Sequence, residues 1–578
     1  MSVLRKQLPA RLATATFALC AGVLWPSLLR AQTGILTAVV NGGEPTVISG
    51  AYATIAKTNI VDLSGTNSLP GSTRVTINGA EVDYDPAAGH WSARQSLTPG
   101  MNRLFVAALD TAGALLASTN LNVVSEVSGF STGGVMLGDT VWSRELGVVR
   151  VTNTVTVADG ATLTIGEGVV VLLTPQASIR AGANGGVTTA GTDADPVFFL
   201  PADGDTPWLE LAADGANAQL TLRHVDIGGG TVQFRDGSTG WMEDTYVHDY
   251  LPPGSTTPIA SSDHAASVTV RRCHFSRYHE TLWRFTPMLI EDSLFEQAVN
   301  PNSDALDFDA APPGSVIRRC TFRHGPQNNT DAVDIGAFGG AGSSGVLIED
   351  CLLYDFNDKG ISIGESAQGI VVRNCLIHHV TRGVQVKDVC TASVGHCTVA
   401  DSAIGLHGYE KLPNTGGGRL TNTFNNILWN NTAALVTEPS TVLIVNYTDT
   451  GGTNWPGTGN FNADPLFMAS ALYDYRLRTN SPCLGAGREG GNLGVRFPVG
   501  APMARSHPVI ESVTVSQGSA RVSFWCDPEK SYALQTSPDL VTGPWITLTN
   551  TPGPPLPRLV QVDDALANRS RFYRLLAY

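Results

Sequence analysis

The chain has 578 residues, 61 of them glycine and 33 proline, with 51 acidic against 37 basic side chains and a formal net charge of −14. That balance excludes a polyanion-binding role, because nucleic acid and anionic membranes both select for positive charge. The glycine and proline content fits a turn-rich all-β protein, and the length calls for several domains.

Residues 1–31 have the form of a secretory leader, with a basic start (Arg5, Lys6, Arg11), an apolar stretch Leu12–Trp25 and a cleavage site after Ala31. Arg30 leaves with it, so the exported chain carries 33 basic and 51 acidic residues, a net charge of about −18. The apolar run is short for a bilayer span, and no other stretch reaches about 18 apolar residues. A secreted protein without membrane insertion is expected, extracellular, periplasmic or at the cell surface, and monomeric.

Residues 34–125 read as short strands separated by turns, with Asn78-Gly79 between Val75/Ile77 and Val82/Tyr84 as a hairpin signal. This stretch resembles immunoglobulin-like β-sandwich modules of secreted bacterial proteins. It carries no residues suited to catalysis and fits a spacer, with carbohydrate binding as the alternative.

From 134 onward the sequence repeats itself. Val155–Ile165 gives two alternating strands around a glycine turn, with Trp142 placed to cover the open end of a stack. The six-residue phrase is clearest at 270–275, 290–295, 317–322, 348–353, 372–377 and 394–399, with weaker copies on either side. Its fourth residue falls at 225, 245, 273, 293, 320, 351, 375, 397 and 427, giving steps of 20 to 31 residues. Such a period on short β-branched runs predicts a solenoid with one coil per repeat. A second strand follows each phrase at 305–309, 332–336, 360–364, 383–387 and 403–407. Alternation places Leu306/Phe308, Val333/Ile335, Ile361/Ile363, Val384/Val386 and Ile404/Leu406 inside. Helical periodicity is absent. Residues 134–490 resemble the right-handed parallel β-helix proteins of the pectate-lyase-like superfamily, so the expected fold is all-β, a parallel β-helix flanked by two small β-sandwich-like domains.

Five cysteines (273, 320, 351, 375, 397) share the marker position. Coils about 4.8 Å apart would permit disulfides between neighbours; a buried ladder of thiols packing as small hydrophobes is the simpler expectation. The two preceding positions alternate in sign, Glu243, Arg271, Glu291, Arg318, Glu349, Arg373 and Asp244, Arg272, Asp292, Arg319, Asp350, Asn374. Stacking then sets opposite charges side by side, a structural device that opposes register slips.

The acidic group on the second strands does not alternate. Asp304, Asp307, Asp309, Asp331, Asp334, Asp358 and Glu365 come from three successive coils, with Lys359, Lys387 and His407 nearby. Stacked carboxylates repel unless a cation, a proton or a basic group intervenes. Asn300–Asp309 resembles the aspartate-rich Ca²⁺ segment of some β-helix polysaccharide lyases. That resemblance implies Ca²⁺ held by Asp304, Asp307, Asp309 and Asp334, with Lys387 as the base that removes a proton α to a uronate carboxylate. Asn329-Thr330-Asp331 and the strand Arg382–Lys387 resemble motifs of polygalacturonase-type hydrolases, which implies acid–base roles for Asp331 and Asp334. The departures are Asp358-Lys359 where that family has two aspartates, and the absence of its Gly-His-Gly. His407 joins the candidate catalytic set; Lys359, Arg382 and Tyr409 are candidate substrate contacts, and Tyr354 and Tyr409 candidate sugar-stacking rings. The expected partner is a polysaccharide. Two alternatives stay open: a non-catalytic surface or adhesive solenoid, in which Asp304 and Asp331 cap turns and the lysines pair with aspartates, and a polygalacturonase-like hydrolase with an incomplete catalytic set.

At the far end, 463–467 and 475–487 resemble the closing segment of bacterial β-helix proteins. A linker is expected over 491–507 and a small β domain over 508–578, with strands at 513–525, 531–536, 545–549 and 571–575.

Overall fold

The computed structural model describes residues 36–577 apart from 44–45, 253, 453, 503–509, 517–518, 527–529, 539–544, 553–557 and 566–570. The leader expected over 1–31 lies outside these residues. Strands dominate, and the described helical turns are three short 3₁₀ segments.

The centre is one continuous ladder of 34 strands running from Gly129–Met136 to Val442–Asn446 and making about 13 turns. Each turn lays down three short strands that pair in parallel with their counterparts one turn later, as in Phe275↔Phe295 and Phe295↔Phe322; Ala341–Gly342, antiparallel to Val333–Phe338, stands outside this pattern. The first face follows the marker, the second carries the acidic group, and the third holds the β-branched run that leads into the next marker. Side chains that point inward pile onto their own kind. Phe275, Phe295 and Phe322 stack with ring centroids 4.8 and 4.9 Å apart, and all three are fully buried.

The marker column has a single chemical rationale. Thr245, Cys273, Ser293, Cys320, Cys351, Cys375 and Cys397 are buried at the corner between third and first faces, and each turns its hydroxyl or thiol onto the carbonyl two residues earlier. The carbonyls of Glu291, Arg318, Glu349, Arg373 and Gly395 already accept an amide of the preceding coil, and a small side chain with one donor fills the second lone pair at this corner. All eight cysteines of the described chain are free thiols, so this column is the thiol ladder and not a disulfide chain. In the last copy the marker is Asn426 and not residue 427: Asn426 Oδ1 accepts from Cys397 N, and Ile427 pairs with Thr398.

The residue before each marker is left-handed, with φ between 48° and 58° from Asp244 to Asn425. Asp and Asn tolerate this region; arginine does so at a cost, which Arg272 and Arg319 offset with paired bonds of 2.6–2.9 Å to Asp244 and Asp292. Glu291 accepts from Arg271, Arg318 and Arg319 at 2.5–2.9 Å. The alternating columns thus form an ion-pair network from Glu243 to Arg319, with Arg373 and Glu349 as a separate pair.

Two sheets, of four and six strands, form the N-terminal unit around Leu63, Trp91, Val106 and Val123. This unit is not a free spacer. Ile55 and Val124 share a core with Val148, Val170 and Phe198 of the solenoid, and Arg150 clasps Glu126 through two bonds of 2.6 and 2.7 Å. The expected linker is likewise docked as far as residue 501. Gly494, Val495, Arg496, Gly500 and Ala501 donate their amides to Asn425, Thr398, Asn374, Asp350 and Thr321, crossing successive coils in reverse order. The C-terminal unit holds two three-stranded sheets and includes Arg558–Ala565, a strand the sequence reading missed.

Because the Glu291 side chain is only 3 % exposed, its replacement by alanine takes the shared acceptor from Arg271 and Arg318, while Arg319 keeps its bonds to Asp292. A loss of roughly 1.5–3 kcal/mol is expected in urea unfolding, because the guanidinium groups left behind keep partial access to water, whereas Arg373→Ala at an exposed pair should cost below about 1 kcal/mol.

Candidate functional site

Parallel pairing sorts the outward side chains of the second face into columns. The central column is Leu282, Asp307, Asp334, Ser362, Gln385 and His407. On one side stand Asp331, Lys359 and Arg382 in register, with Asp304 adjoining Asp331. On the other stand Arg284, Asp309 and Gly336, then Lys387 and Tyr409. The strand Ile404–Tyr409 sits two residues from the alignment expected for 403–407: His407 pairs with Gln385, and Tyr409, not His407, adjoins Lys387.

These columns segregate charge along the helix axis. The earlier coils contribute carboxylates, and the later ones contribute Lys359, Arg382, Lys387 and His407. Between them lies a cleft of about 340 Å³ lined by Asp304, Asp331, Asp334, Lys387, His407 and Tyr409 among others, with Lys359 and Arg382 on its wall. Asp307 and Asp309 do not line it. Asp309 turns to Arg284, 3.3 Å away, and the group of carboxylates whose oxygens all lie within 4.8 Å is Asp304, Asp331 and Asp334. Tyr354 also departs from expectation, being buried on the first face against His378.

Lys359 is committed to structure. Its ammonium lies 3.1 and 3.2 Å from the two oxygens of Asp331 and 2.5 Å from Asp358, whose other oxygen receives Arg382 at 2.5 Å. Lys387 differs. It is only 6 % exposed, yet its closest carboxylate oxygen, Asp334 Oδ1, is 3.9 Å away. It owes its position to a glycine: a β-carbon on Gly364 would lie 2.5 Å from Lys387 Cε. Gly336 gives Asp309 the same room, at 2.6 Å from Oδ1. His407 is held by Gln385 at 2.7 Å, and burial followed by the charge of Arg382 lowers its pKa. Three buried polar atoms of this wall, Asp334 Oδ1, Ser362 Oγ and Arg382 Nε, have no hydrogen-bond partner. Orphans of this kind mark a place where a ligand completes the bonding.

Burial and mutual repulsion push the acidic side toward protonation. Asp304 is raised well above the usual carboxyl range by burial and then by Asp334 and Asp331. Asp307 is pushed up to about 9 by burial and then by Asp309 and Asp334. Asp309 and Asp331 are pushed up to about 6, burial leading in both. A hard cation would relieve the same repulsion. Ligand oxygens about 2.3–2.6 Å from a calcium ion lie at most about 5 Å apart, which the Asp304–Asp331–Asp334 group satisfies. Asp334 offers an unpartnered oxygen, and Asp304 accepts only the Asp331 amide, at 2.7 Å. These two carboxylates fit the ion best; Asp331 is shared with Lys359.

A family model described as a right-handed β-helix region matches residues 261–433. The solenoid is a right-handed parallel β-helix. No curated protein matches the sequence. Solved structures that resemble the β-helix chain include the pectate lyase Pel9A, at 14 % identity over 58 % of this chain and 88 % of that one, with a TM-score of 0.21. Dex49A from Penicillium minioluteum (8 % identity, 61 % and 77 % coverage, TM-score 0.18) and a family 28 exopolygalacturonase from Yersinia enterocolitica (8 %, 76 % and 99 %, TM-score 0.17) resemble it more distantly. Likeness at this level carries no argument about chemistry, which rests on the cleft itself.

The raised carboxyls set a pH dependence. A carboxyl whose pKa is higher in the folded than in the unfolded state binds its proton more tightly when folded, so stability falls as pH rises through the folded value. For each group the decline begins near the ordinary carboxyl value of about 4 and is complete near the folded value, about 6 for Asp309 and Asp331 and about 9 for Asp307. Without divalent ions, the melting temperature should therefore drop from about pH 4 to about pH 9, and Asp307→Asn should flatten the part of that drop above about pH 6.

Proposed function

We propose that the second-face cleft is the active site of a secreted enzyme acting on uronic-acid polysaccharide by β-elimination. The observation that carries this reading is one cleft that holds Lys387, buried and with no carboxylate oxygen nearer than 3.9 Å, together with the Asp304–Asp331–Asp334 group. Elimination needs a base for the proton α to the uronate carboxylate and positive charge against the carbanion that forms. Lys387, once deprotonated, takes that proton; the electron pair forms the new double bond, and the glycosidic oxygen leaves from the adjacent carbon. Arg382, with its unpartnered Nε, and the neutral His407 orient the sugar. Calcium held by Asp304 and Asp334 would supply the charge that lowers the acidity barrier at that carbon.

Hydrolysis fits less well. Its two carboxyl groups stand about 5–9.5 Å apart on either side of the scissile bond, whereas the oxygens here crowd within 4.8 Å on one side. Asp358 has both oxygens bound by Lys359 and Arg382, which removes it as a partner acid.

The test is ultraviolet absorbance of the unsaturated uronate, with Ca²⁺ and a panel of uronic-acid polysaccharides. Lys387→Ala and Asp334→Asn should each lower the rate by roughly 10²–10⁴, with EDTA abolishing the signal. Gly364→Ala should do nearly as much by displacing the lysine. Silence of the wild-type protein across the panel, with no new reducing ends, would assign the face to a binding or structural solenoid.

A further inference from the structure

The coil at 321–349 carries a hairpin that the ladder does not require. After Asp334 the strand Val333–Phe338 runs on, turns at Gly339-Gly340 (φ 59° and 84°), and returns through Ala341–Gly342. Asp334, Gly336 and Phe338 alternate along one strand and so project from the same face, with Phe338 about 13 Å from Asp334 along the strand direction. Phe338 is 42 % exposed.

Its ring is held over earlier coils. The Arg284 guanidinium lies 3.9 Å from the ring centroid, and Phe285 meets it edge-on at 6.0 Å. Phe285 in turn stacks on the exposed His264 at 4.2 Å. Three rings thus form a row along the edge of the second face, beginning beside Asp309 and Arg284. Phe285 and His264 occupy the left-handed corner position, with φ of 50° and 55°. Asp236 fills the same corner position one coil beyond His264, also left-handed at φ 50°. Histidine is tolerated there, but phenylalanine is a strained choice, so the fold alone does not explain Phe285.

We infer that Phe338, Phe285 and His264 form a distal sugar-binding subsite, on which a glycan chain threaded through the cleft stacks its ring faces. This rests on the reading of the cleft as a polysaccharide site. Aromatic faces bind the apolar face of a pyranose, and burial of one ring against another contributes on desolvation. Arg284 supplies what a neutral platform lacks. Its guanidinium beside the rings attracts the carboxylate of a uronic acid, while its bond to Asp309 fixes its direction. The subsite gives Phe338 a specificity role: it favours long, carboxylate-bearing chains over short or neutral ones.

The experiment uses full-length protein carrying Lys387→Ala, so that binding is read without turnover. Uronic-acid oligosaccharides of graded length, oligogalacturonates first and then mannuronate and glucuronate series, are titrated by calorimetry. Phe338→Ala added to that background should weaken the longest oligomers at least tenfold, with a smaller loss for oligomers too short to reach the rings. Phe338→Trp should retain the affinity, and an unchanged melting curve for both variants would show that the hairpin still folds. If Phe338→Ala binds every length as tightly as its parent, the platform is overturned while the cleft reading stands. If the parent binds none of the series, the cleft reading fails and the platform with it.

Discussion

Everything in this chain follows from one repulsion-and-attraction rule: a residue of one coil lies about 4.8 Å from its counterpart in the next. Apolar groups gain from that identity, as the phenylalanine stack shows. Charged groups cannot tolerate it, so the columns of the third-face corner alternate in sign and become ion pairs. The second face breaks the alternation. Asp307 over Asp334, and Asp304 beside Asp331, are like charges held at coil spacing by the same backbone that elsewhere enforces complementarity. The energy of that conflict is stored in the fold and released by a proton or a cation.

The site is therefore made by contrast with its surroundings. Lys359 shows what a basic residue does when it serves the scaffold, lying within 2.5–3.2 Å of carboxylate oxygens. Lys387, laid over Gly364, shows a basic residue kept apart. The difference arises from the absence of a single β-carbon.

Much of this was legible in sequence because the coil repeat is written in side-chain chemistry. The alternation of inward residues, the sign change from Arg271 to Glu291 to Arg318, and the cysteine column each fixed the fold independently. The errors have physical reasons. Aligning 403–407 with 383–387 preserved the inside–outside parity of Ile404 and Leu406, since a slip of two leaves every side chain on its own face. Hydrophobic pattern is blind to such a slip, and only the pairing of Gln385 with His407 reveals it. Ser293 shares the column with the cysteines because its hydroxyl makes the same bond, to the Glu291 carbonyl. The roles of Gly336 and Gly364 could not be read at all, because they consist of space left for side chains on neighbouring coils.

The docked tail changes the statistics of unfolding. A bare solenoid is a chain of nearest-neighbour contacts and can fray one coil at a time from its end. Here the segment 494–501 retraces the coils from Asn425 back to Thr321, each amide bonded to a different one. It acts as a binding thread along the spine of the stack. The last coil cannot peel away without drawing the thread from those beneath it, so the half of the solenoid that carries the cleft opens as a single cooperative unit.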